Sequence, residues 1–173
     1  MSNAFAVPDE REFRLFQNLI MTQLGIHLPE QKRALIGNRL WKRLQERQVQ
    51  RYGDYFQLIN RPGEEAELNC VLELITTNET YFFREPRHFD YLRDQILPRC
   101  TSARPLRIWS AAASSGEEAY SIAMLLADRR SGPWEILASD VNRSVLEKAR
   151  RAIYRDDRTD QIPDAYRRRF CRK

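Results

Sequence analysis

With 173 residues, the chain has room for one full domain, or for one small domain and part of another, since a domain usually takes roughly 100–200 residues. Hydrophobic residues make up 42% of the sequence, and no apolar run approaches the about 20 residues that span a bilayer. We therefore expect a soluble chain that does not insert into a membrane. The net charge of +5 favours an anionic partner without choosing among nucleic acid, a membrane surface and an acidic protein face.

The N-terminus and the few metal-ligating residues argue against two further classes. Residues 1–13 contain no basic segment followed by a long apolar stretch, so we expect no secretory signal and a cytoplasmic location. The 3 cysteines and 2 histidines are widely spaced and include no C-x-x-C pair. This spacing predicts reduced thiols, no disulfide framework and no metal site.

Helical patterns dominate the first part of the chain. Ile36, Leu40 and Leu44 recur at the spacing of one helix face. Shorter apolar patterns between these residues and residue 76 predict further helices. We therefore predict a small all-α domain over residues 1–76.

Residues 76–80 interrupt this pattern, because threonine and asparagine compete for backbone hydrogen bonds and favour caps and loops. We place the domain junction in this segment. Beyond it, Pro86 is suited to the first turn of a helix that ends near Pro98.

The second part of the chain alternates strands and helices. Residues 106–109 form a short apolar run that predicts a buried strand, and residues 134–140 predict another strand. A helical pattern follows each strand, the first beginning at Glu117 and the second after a capping Asn142. This order is the opening of a doubly wound α/β sheet, which we place in residues 77–173.

The turn after the first predicted strand is a candidate ligand loop. Residues 110–116 are all small, and in open α/β sheets ligands bind at the carboxyl ends of strands, beside helix N-termini. Gly116 is the only glycine there, so a dinucleotide fingerprint is not met, and tight packing of strand against helix is the alternative explanation. Asp140 follows Gly116 at close to the roughly 20 residues at which an acid meets ribose hydroxyls. A helix N-cap explains Asp140 equally well.

Three runs in the sequence resemble one known family. Residues 76–84 are TTNETYFFR, residues 107–124 are RIWSAAASSGEEAYSIAM and residues 138–142 are ASDVN. In this order they are similar to the CheR family of protein-glutamate methyltransferases, and the resemblance covers nearly the whole chain. It implies a small helical domain followed by a Rossmann-like domain that binds S-adenosylmethionine.

The resemblance also implies a set of cofactor-binding residues. Asn78, Thr80 and Arg84 match positions that hold the methionine end of the cofactor and its surroundings. Glu117 matches a cofactor-binding carboxylate, and Asp140 matches the acid expected to take the ribose hydroxyls. Charged side chains suit these tasks, because charge-assisted hydrogen bonds hold the carboxylate and the ammonium of a ligand. Without the resemblance, a surface ion pair with a neighbouring glutamate would be the preferred explanation of Arg84.

The reaction implied by the resemblance is methyl transfer from S-adenosylmethionine to receptor glutamates, which yields a methyl ester and S-adenosylhomocysteine. A glutamate with a reference pKa of about 4.3 is already ionised at neutral pH, so no general base is needed. Positioning would then carry most of the catalysis, and no residue is singled out as catalytic.

A basic row in the first domain is a candidate docking surface. Arg39, Arg43 and Arg47 recur at i, i+4 and i+8, and the resemblance implies that such a row meets the cytoplasmic helical bundle of a methyl-accepting chemotaxis receptor. A solvated helix face explains the row as well. Nucleic acid is disfavoured as a partner, because the aromatic residues form no stacking platform with the arginines.

The second domain of the family continues with an Asn-Leu-Leu-like segment and an Arg-Asn-Val-Leu-Ile-Tyr-Phe-like strand, and residues 105–173 contain neither. We therefore expect a fragment or a shortened relative, in which a two-stranded sheet exposes apolar faces and unpaired edges. A receptor-binding or signalling module without catalysis is the alternative function.

Overall fold

The computed structural model describes residues 7–172, and the chain divides into two compact units between Thr77 and Asn78. Each unit has its own cluster of buried apolar residues. Within the described residues, every helix is too short or too polar to cross a bilayer.

The first unit is helical. Its α-helices are α1 (Glu10–Leu24), α2 (Arg33–Glu46), α3 (Tyr52–Ile59) and α4 (Glu65–Ile75), and a 3₁₀ turn, Glu30–Lys32, precedes α2. The Asp9 side chain begins α1 by accepting the amide N–H of Glu12 at 2.8 Å, and the Glu12 carboxylate accepts the amide N–H of Asp9 in return. Gly25 ends α1 with a φ of 67°, a left-handed conformation that glycine adopts without strain.

The apolar stripe predicted on α2 is confirmed. Ile36, Leu40 and Leu44 are buried, and they share a core with residues from the rest of the unit. The other buried members are Phe13, Phe16, Leu19, Ile20, Leu28, Tyr52, Tyr55, Ile59, Val71 and Ile75. Full burial of one such side chain contributes about 1.5–3 kcal/mol, so this core is the main source of the unit's stability.

A buried carboxylate joins α2, α3 and α4. Glu67 on α4 is 5% exposed and accepts hydrogen bonds from Nε of Arg43 at 3.0 Å and from the Tyr55 hydroxyl. A further bond from Nη2 of Arg43 makes that pair bidentate, and the Arg47 guanidinium lies 3.6 Å from the same carboxylate. Burial alone would raise the pKa of Glu67, but the bonds from Arg43 and Tyr55 outweigh burial, so the pKa lies below its ordinary value.

Arg39 of α2 caps the end of α4. The last carbonyl groups of a helix lack partners within the helix, and α4 has no basic residue in its last turn. The Arg39 guanidinium donates to the carbonyl of Leu74 at 3.1 Å and to that of Ile75. It also donates to the carbonyl of Thr76 at 3.0 Å and to the hydroxyl of Thr77 at 3.1 Å. The guanidinium therefore satisfies the last carbonyl groups of α4, while the Thr76 hydroxyl donates to the carbonyl of Glu73 at 2.9 Å.

Within the described residues, the second unit contains a two-stranded parallel sheet with helices around it. Its strands are β1 (Leu106–Ala111) and β2 (Trp134–Ser139), and its α-helices are α5 (Pro86–Tyr91), α6 (Glu117–Arg129), α7 (Arg143–Arg151) and α8 (Asp164–Phe170). A π-helical turn, Leu92–Ile96, and a 3₁₀ turn, Leu97–Arg99, continue α5. The register pairs Leu106 with Trp134 and Ala111 with Ser139. The predicted fold class, an all-α domain followed by part of a doubly wound α/β domain, is confirmed.

The prediction that residues 106–109 form a buried strand is wrong for one face of β1. Ser110 is buried and Ile108 is partly covered, whereas Trp109 and its partner Leu137 on β2 are 67% and 65% exposed. Parallel sheets are ordinarily covered on both faces. The expectation that this sheet exposes apolar residues is therefore confirmed for the part of the chain that the structure describes.

We expect the Glu67→Gln substitution to lower the free energy of unfolding of the first unit by about 2 kcal/mol, because Arg43 and Tyr55 lose their charged acceptor. The carboxylate's contribution is complete above the ordinary pKa of 4.5 and is lost as the pH falls through the lower folded-state pKa. Acid should therefore destabilise the wild-type unit more than the variant. Amide hydrogen exchange in α2 and α4, followed across the acid range, measures both effects.

Glu46→Gln is the matched control, because Glu46 also pairs with Arg43 but its side chain is 45% exposed. Exposed pairs contribute roughly 0–1 kcal/mol, so this variant should stay close to the wild type. Equal losses in the two variants would contradict the importance of the buried carboxylate.

Candidate functional site

The turn between β1 and α6 has a strained backbone. Ala112, Ser114 and Gly116 have φ values of 60°, 49° and 97°. The left-handed conformation costs a residue other than glycine roughly 1–2 kcal/mol, and such strain is concentrated at functional sites. The buried hydroxyl oxygen of Ser114 has no hydrogen-bond partner among residues 7–172. A ligand group that bonded to this hydroxyl would remove a cost of about 1–3 kcal/mol.

Gly116 lets the turn pack closely against α7 and Tyr154. A Cβ atom on Gly116 would lie 2.9 Å from Cβ of Ala149 on α7 and 3.0 Å from the hydroxyl oxygen of Tyr154. Burial and the negative charge of Glu117 raise the pKa of Tyr154, so its hydroxyl stays protonated and donates to the Ser115 carbonyl at 2.6 Å. The turn therefore serves close packing, the alternative considered from the sequence, as well as leaving a polar group unpartnered.

Asp140 lies at the carboxyl end of β2 and holds the turn. One carboxylate oxygen accepts the amide N–H of Ser114 at 2.8 Å, and the other accepts that of Asn142 at 2.9 Å. The N-cap explanation of Asp140 is wrong, because the Asn142 side chain caps α7 by accepting the amide N–H of Val145 at 3.2 Å. Each oxygen of Asp140 keeps a further lone pair, so the carboxylate can also accept hydrogen bonds from two hydroxyls of a ligand.

Glu117 is the first residue of α6 and is 1% exposed. Its carboxylate accepts the Ser115 hydroxyl at 2.7 Å and the Arg158 guanidinium at 3.2 Å. The same Arg158 nitrogen donates to the Thr80 carbonyl at 2.6 Å. The N-terminus of a helix favours a negative charge. Arg158 thus connects Glu117 and Thr80, two of the residues that the sequence assigns to the site.

The segment that carries Thr80 lies against α6. The amide N–H of Phe83 donates to the Ser121 hydroxyl at 2.9 Å, one turn after the start of the helix. Phe82 is 3% exposed and packs with Met124 and other apolar residues of the second unit. These contacts place the junction segment beside the turn that Asp140 and Glu117 border.

Arg84 and Asn78 are less closely tied to the other predicted residues. The Arg84 guanidinium donates to the backbone carbonyl of Glu79 and lies 5.8 Å from the ring centre of Tyr81. This is a backbone contact rather than the ion pair with a glutamate carboxylate that was the alternative from the sequence. Asn78 is half-buried at the start of the segment. The Glu79 carbonyl takes a bond from one nitrogen only, so other N–H groups of the Arg84 guanidinium remain available for the carboxylate of a ligand.

Sequence reasoning missed Arg158 and Tyr154. Both contact the turn region from the chain that follows α7, and Arg158 ends the 3₁₀ turn Asp156–Arg158. Neither residue lies in a periodic pattern or in one of the three runs that resemble the CheR family. A single sequence therefore contains no signal that would have identified them.

The arginine row of α2 faces α4 rather than solvent alone. Arg39 caps α4, Arg43 binds Glu67, and Arg47 lies 2.6 Å from the Glu64 carboxylate. The side chains of Arg43 and Arg47 are 27% and 33% exposed. All three arginines therefore have partners within the first unit, and their role in receptor docking stays a prediction.

A cavity of about 950 Å³ lies elsewhere in the second unit. It runs beside α6 and residues 152–172, and its lining includes Phe82, Tyr120, Met124 and Tyr154. None of the five predicted cofactor residues lines it. We therefore locate the candidate site at the turn between β1 and α6.

Comparison with known families decides the classification of both units. Residues 11–76 match the CheR methyltransferase all-alpha domain, and residues 78–173 match the CheR methyltransferase SAM binding domain. The chain belongs to the CheR methyltransferase family. The second unit belongs to a family of domains that bind S-adenosylmethionine, so the predicted cofactor is confirmed. The resemblance to the CheR family found in the sequence is confirmed as well.

Curated proteins with sequences similar to this chain are named chemotaxis protein methyltransferases. The protein of Escherichia coli is 40% identical over 99% of this chain and 60% of its own length. Chemotaxis protein methyltransferase 2 of Pseudomonas aeruginosa is 39% identical over 92% of this chain and 57% of its own length. The protein of Borreliella burgdorferi is 38% identical over 84% of this chain and 55% of its own length. The chain thus spans little more than half the length of these relatives.

The residues at the turn fit S-adenosylmethionine. The cofactor carries a ribose diol, an ammonium group and a carboxylate, each of which needs a polar partner. The turn offers the unpartnered Ser114 hydroxyl, the spare lone pairs of Asp140 and the buried carboxylate of Glu117. A CheR cofactor site at this position is therefore chemically consistent with the side chains present.

We expect Gly116→Ala to destabilise the second unit by about 2–4 kcal/mol, because the new Cβ combines left-handed strain with a clash against Ala149 and Tyr154. Gly63→Ala is the matched control in the first unit, since Gly63 has a φ of 91° and a Cβ atom added there would meet nothing within 4 Å. That variant should lose only about 1 kcal/mol. Amide hydrogen exchange reports each unit separately, and equal losses would refute the packing role of Gly116.

Proposed function

We propose that this chain carries the cofactor site of an enzyme that methylates glutamate side chains of methyl-accepting chemotaxis receptors. The main observation behind this proposal is the strained turn at residues 112–116. At this turn the carboxylates of Asp140 and Glu117 border the unpartnered Ser114 hydroxyl. Membership in the CheR family and the names of the relatives support the proposal.

Each predicted residue has a role in this proposal. Asp140 accepts hydrogen bonds from the two ribose hydroxyls with its spare lone pairs. Glu117 meets the ammonium group, and Arg84 binds the carboxylate through guanidinium N–H groups that the Glu79 carbonyl does not use. Asn78 and Thr80 border the methionine end of the cofactor.

The chemistry then depends on positioning. When bound, S-adenosylmethionine supplies a methyl group activated by a sulfonium, and S-adenosylhomocysteine is the product. The receptor glutamate, with a pKa of about 4.3, is ionised at neutral pH, so no residue of this chain has to accept a proton. Holding the reacting groups together is worth up to about 7–11 kcal/mol of the barrier.

The helical unit is the proposed docking domain for the cytoplasmic bundle of the receptor. Basic and acidic side chains are equal in number over residues 1–77, so the net charge of +5 lies in the second unit, and the docking proposal depends on the arginine row of α2 instead. Acidic receptor residues would have to share Arg43 and Arg47 with Glu67 and Glu64, and would have to compete with backbone carbonyls for Arg39. Such an enzyme works in the cytoplasm, where we propose that this chain acts.

Calorimetric titration of the chain with S-adenosylhomocysteine tests the cofactor site. We expect one molecule to bind per chain, and we expect Asp140→Ala to weaken binding at least about tenfold, because hydrogen bonds to a charged group contribute about 1.5–3 kcal/mol each. Glu135→Ala is the control, since Glu135 lies near the other end of β2 and its exposed side chain pairs with Arg107. Absence of binding, or equal loss in both variants, would contradict the site.

Incubation with labelled cofactor and a receptor cytoplasmic fragment tests the substrate. The proposal requires that labelled methyl groups appear on receptor glutamates. Alkali should remove this label, because it hydrolyses methyl esters. Normal receptor binding without any label would instead support the alternative of a docking module without catalysis.

A further inference from the structure

Arg158 occupies a distinctive position beside the cofactor residues. One nitrogen of its guanidinium lies 2.6 Å from the Thr80 carbonyl oxygen and 3.2 Å from Oε1 of Glu117. The Glu117 side chain is 1% exposed and that of Arg158 is 48% exposed. The arginine therefore reaches from the surface to a buried carboxylate and bridges two separate parts of the site.

We propose that Arg158 is a positioning residue for the amino-acid end of the cofactor. It supplies the positive charge that offsets burial of the Glu117 carboxylate, and it fastens the junction segment to α6 through the Thr80 carbonyl. The inference rests on the proposed cofactor site and adds a residue to it.

The first part of the argument concerns the buried charge. An ionised carboxylate in the interior is costly unless it is paired and hydrogen-bonded. Among the described residues, Glu117 has the Ser115 hydroxyl and the Arg158 guanidinium as side-chain partners, and only Arg158 carries a positive charge. Loss of the guanidinium would leave the buried carboxylate without a charged partner, so the Glu117 side chain would no longer be held in the position in which it meets the ammonium group of a ligand.

The second part concerns unused hydrogen-bonding capacity. A carboxylate has about four acceptor sites, and Glu117 accepts one side-chain hydrogen bond at each oxygen. Glu67 in the first unit contrasts with it, because Arg43, Tyr55 and Arg47 all surround its carboxylate. Glu117 therefore keeps acceptor sites for a cation, whereas the Glu67 carboxylate is occupied by protein groups.

The third part concerns selectivity within the cofactor. Asp140, the proposed ribose partner, is bonded to the amide N–H groups of Ser114 and Asn142 and not to Arg158. A defect at Arg158 should therefore affect recognition of the amino-acid end and spare the nucleoside end. General loosening of the fold would affect both ends.

The experiment compares two probes by calorimetry on the same chain. S-adenosylhomocysteine carries the amino-acid end, and 5′-methylthioadenosine keeps the nucleoside and the sulfur without it. We expect Arg158→Gln to weaken the binding of S-adenosylhomocysteine at least about tenfold, because Glu117 and the segment that carries Thr80 are no longer held in place for the amino-acid end. The affinity for methylthioadenosine should change less than about twofold. Arg158→Lys keeps the charge and should restore most of the affinity.

Arg155→Gln is the matched control, because Arg155 lies three residues before Arg158 in the chain. Its side chain is 84% exposed and pairs with Asp157. It should bind both probes like the wild type. Equal losses for the two probes in Arg158→Gln, or no rescue by lysine, would overturn the positioning role alone. A wild-type chain that bound neither probe would overturn the proposed function and this inference together.

Discussion

The backbone turn at residues 112–116 is the constraint on which the second unit depends. Left-handed conformations at Ala112, Ser114 and Gly116 bring the chain back over the carboxyl end of the sheet. The Ser114 amide thereby reaches Asp140, and α6 begins with Glu117. Gly116 permits this path because it has no side chain to clash with Ala149 and Tyr154. The Tyr154 hydroxyl stabilises the path by donating to the Ser115 carbonyl. Backbone strain of this kind is concentrated at functional sites, which is consistent with the cofactor site that we propose at this turn.

The two buried glutamates Glu67 and Glu117 differ in how fully protein groups occupy their carboxylates. Glu67 joins three helices, and its bidentate arginine and tyrosine partners lower its pKa. Glu117 has fewer partners, among them one half-exposed arginine. The first carboxylate is consistent with a purely structural role. The second combines near-complete burial with spare acceptor capacity, which suits a group that awaits a positively charged ligand.

Local features were predictable from the sequence, whereas contacts between distant residues were not. The helices α2 and α4 and both strands follow from apolar spacing, and the family follows from three short runs. The contacts of Arg158 with Glu117 and of Tyr154 with Ser115 join residues about 40 positions apart and have no local signature. The apolar composition of residues 106–109 predicted a buried strand and so missed the exposure of Trp109, whereas the small number of strands correctly predicted exposed apolar residues on the sheet.

A crystal structure of the chain with S-adenosylhomocysteine tests the central claim most directly. The account predicts that the nucleoside lies over the turn at residues 112–116, with both ribose hydroxyls bonded to Asp140 and the ammonium group at Glu117. A ligand bound in the cavity beside α6, with Asp140 and Glu117 still engaged only by protein groups, would contradict it.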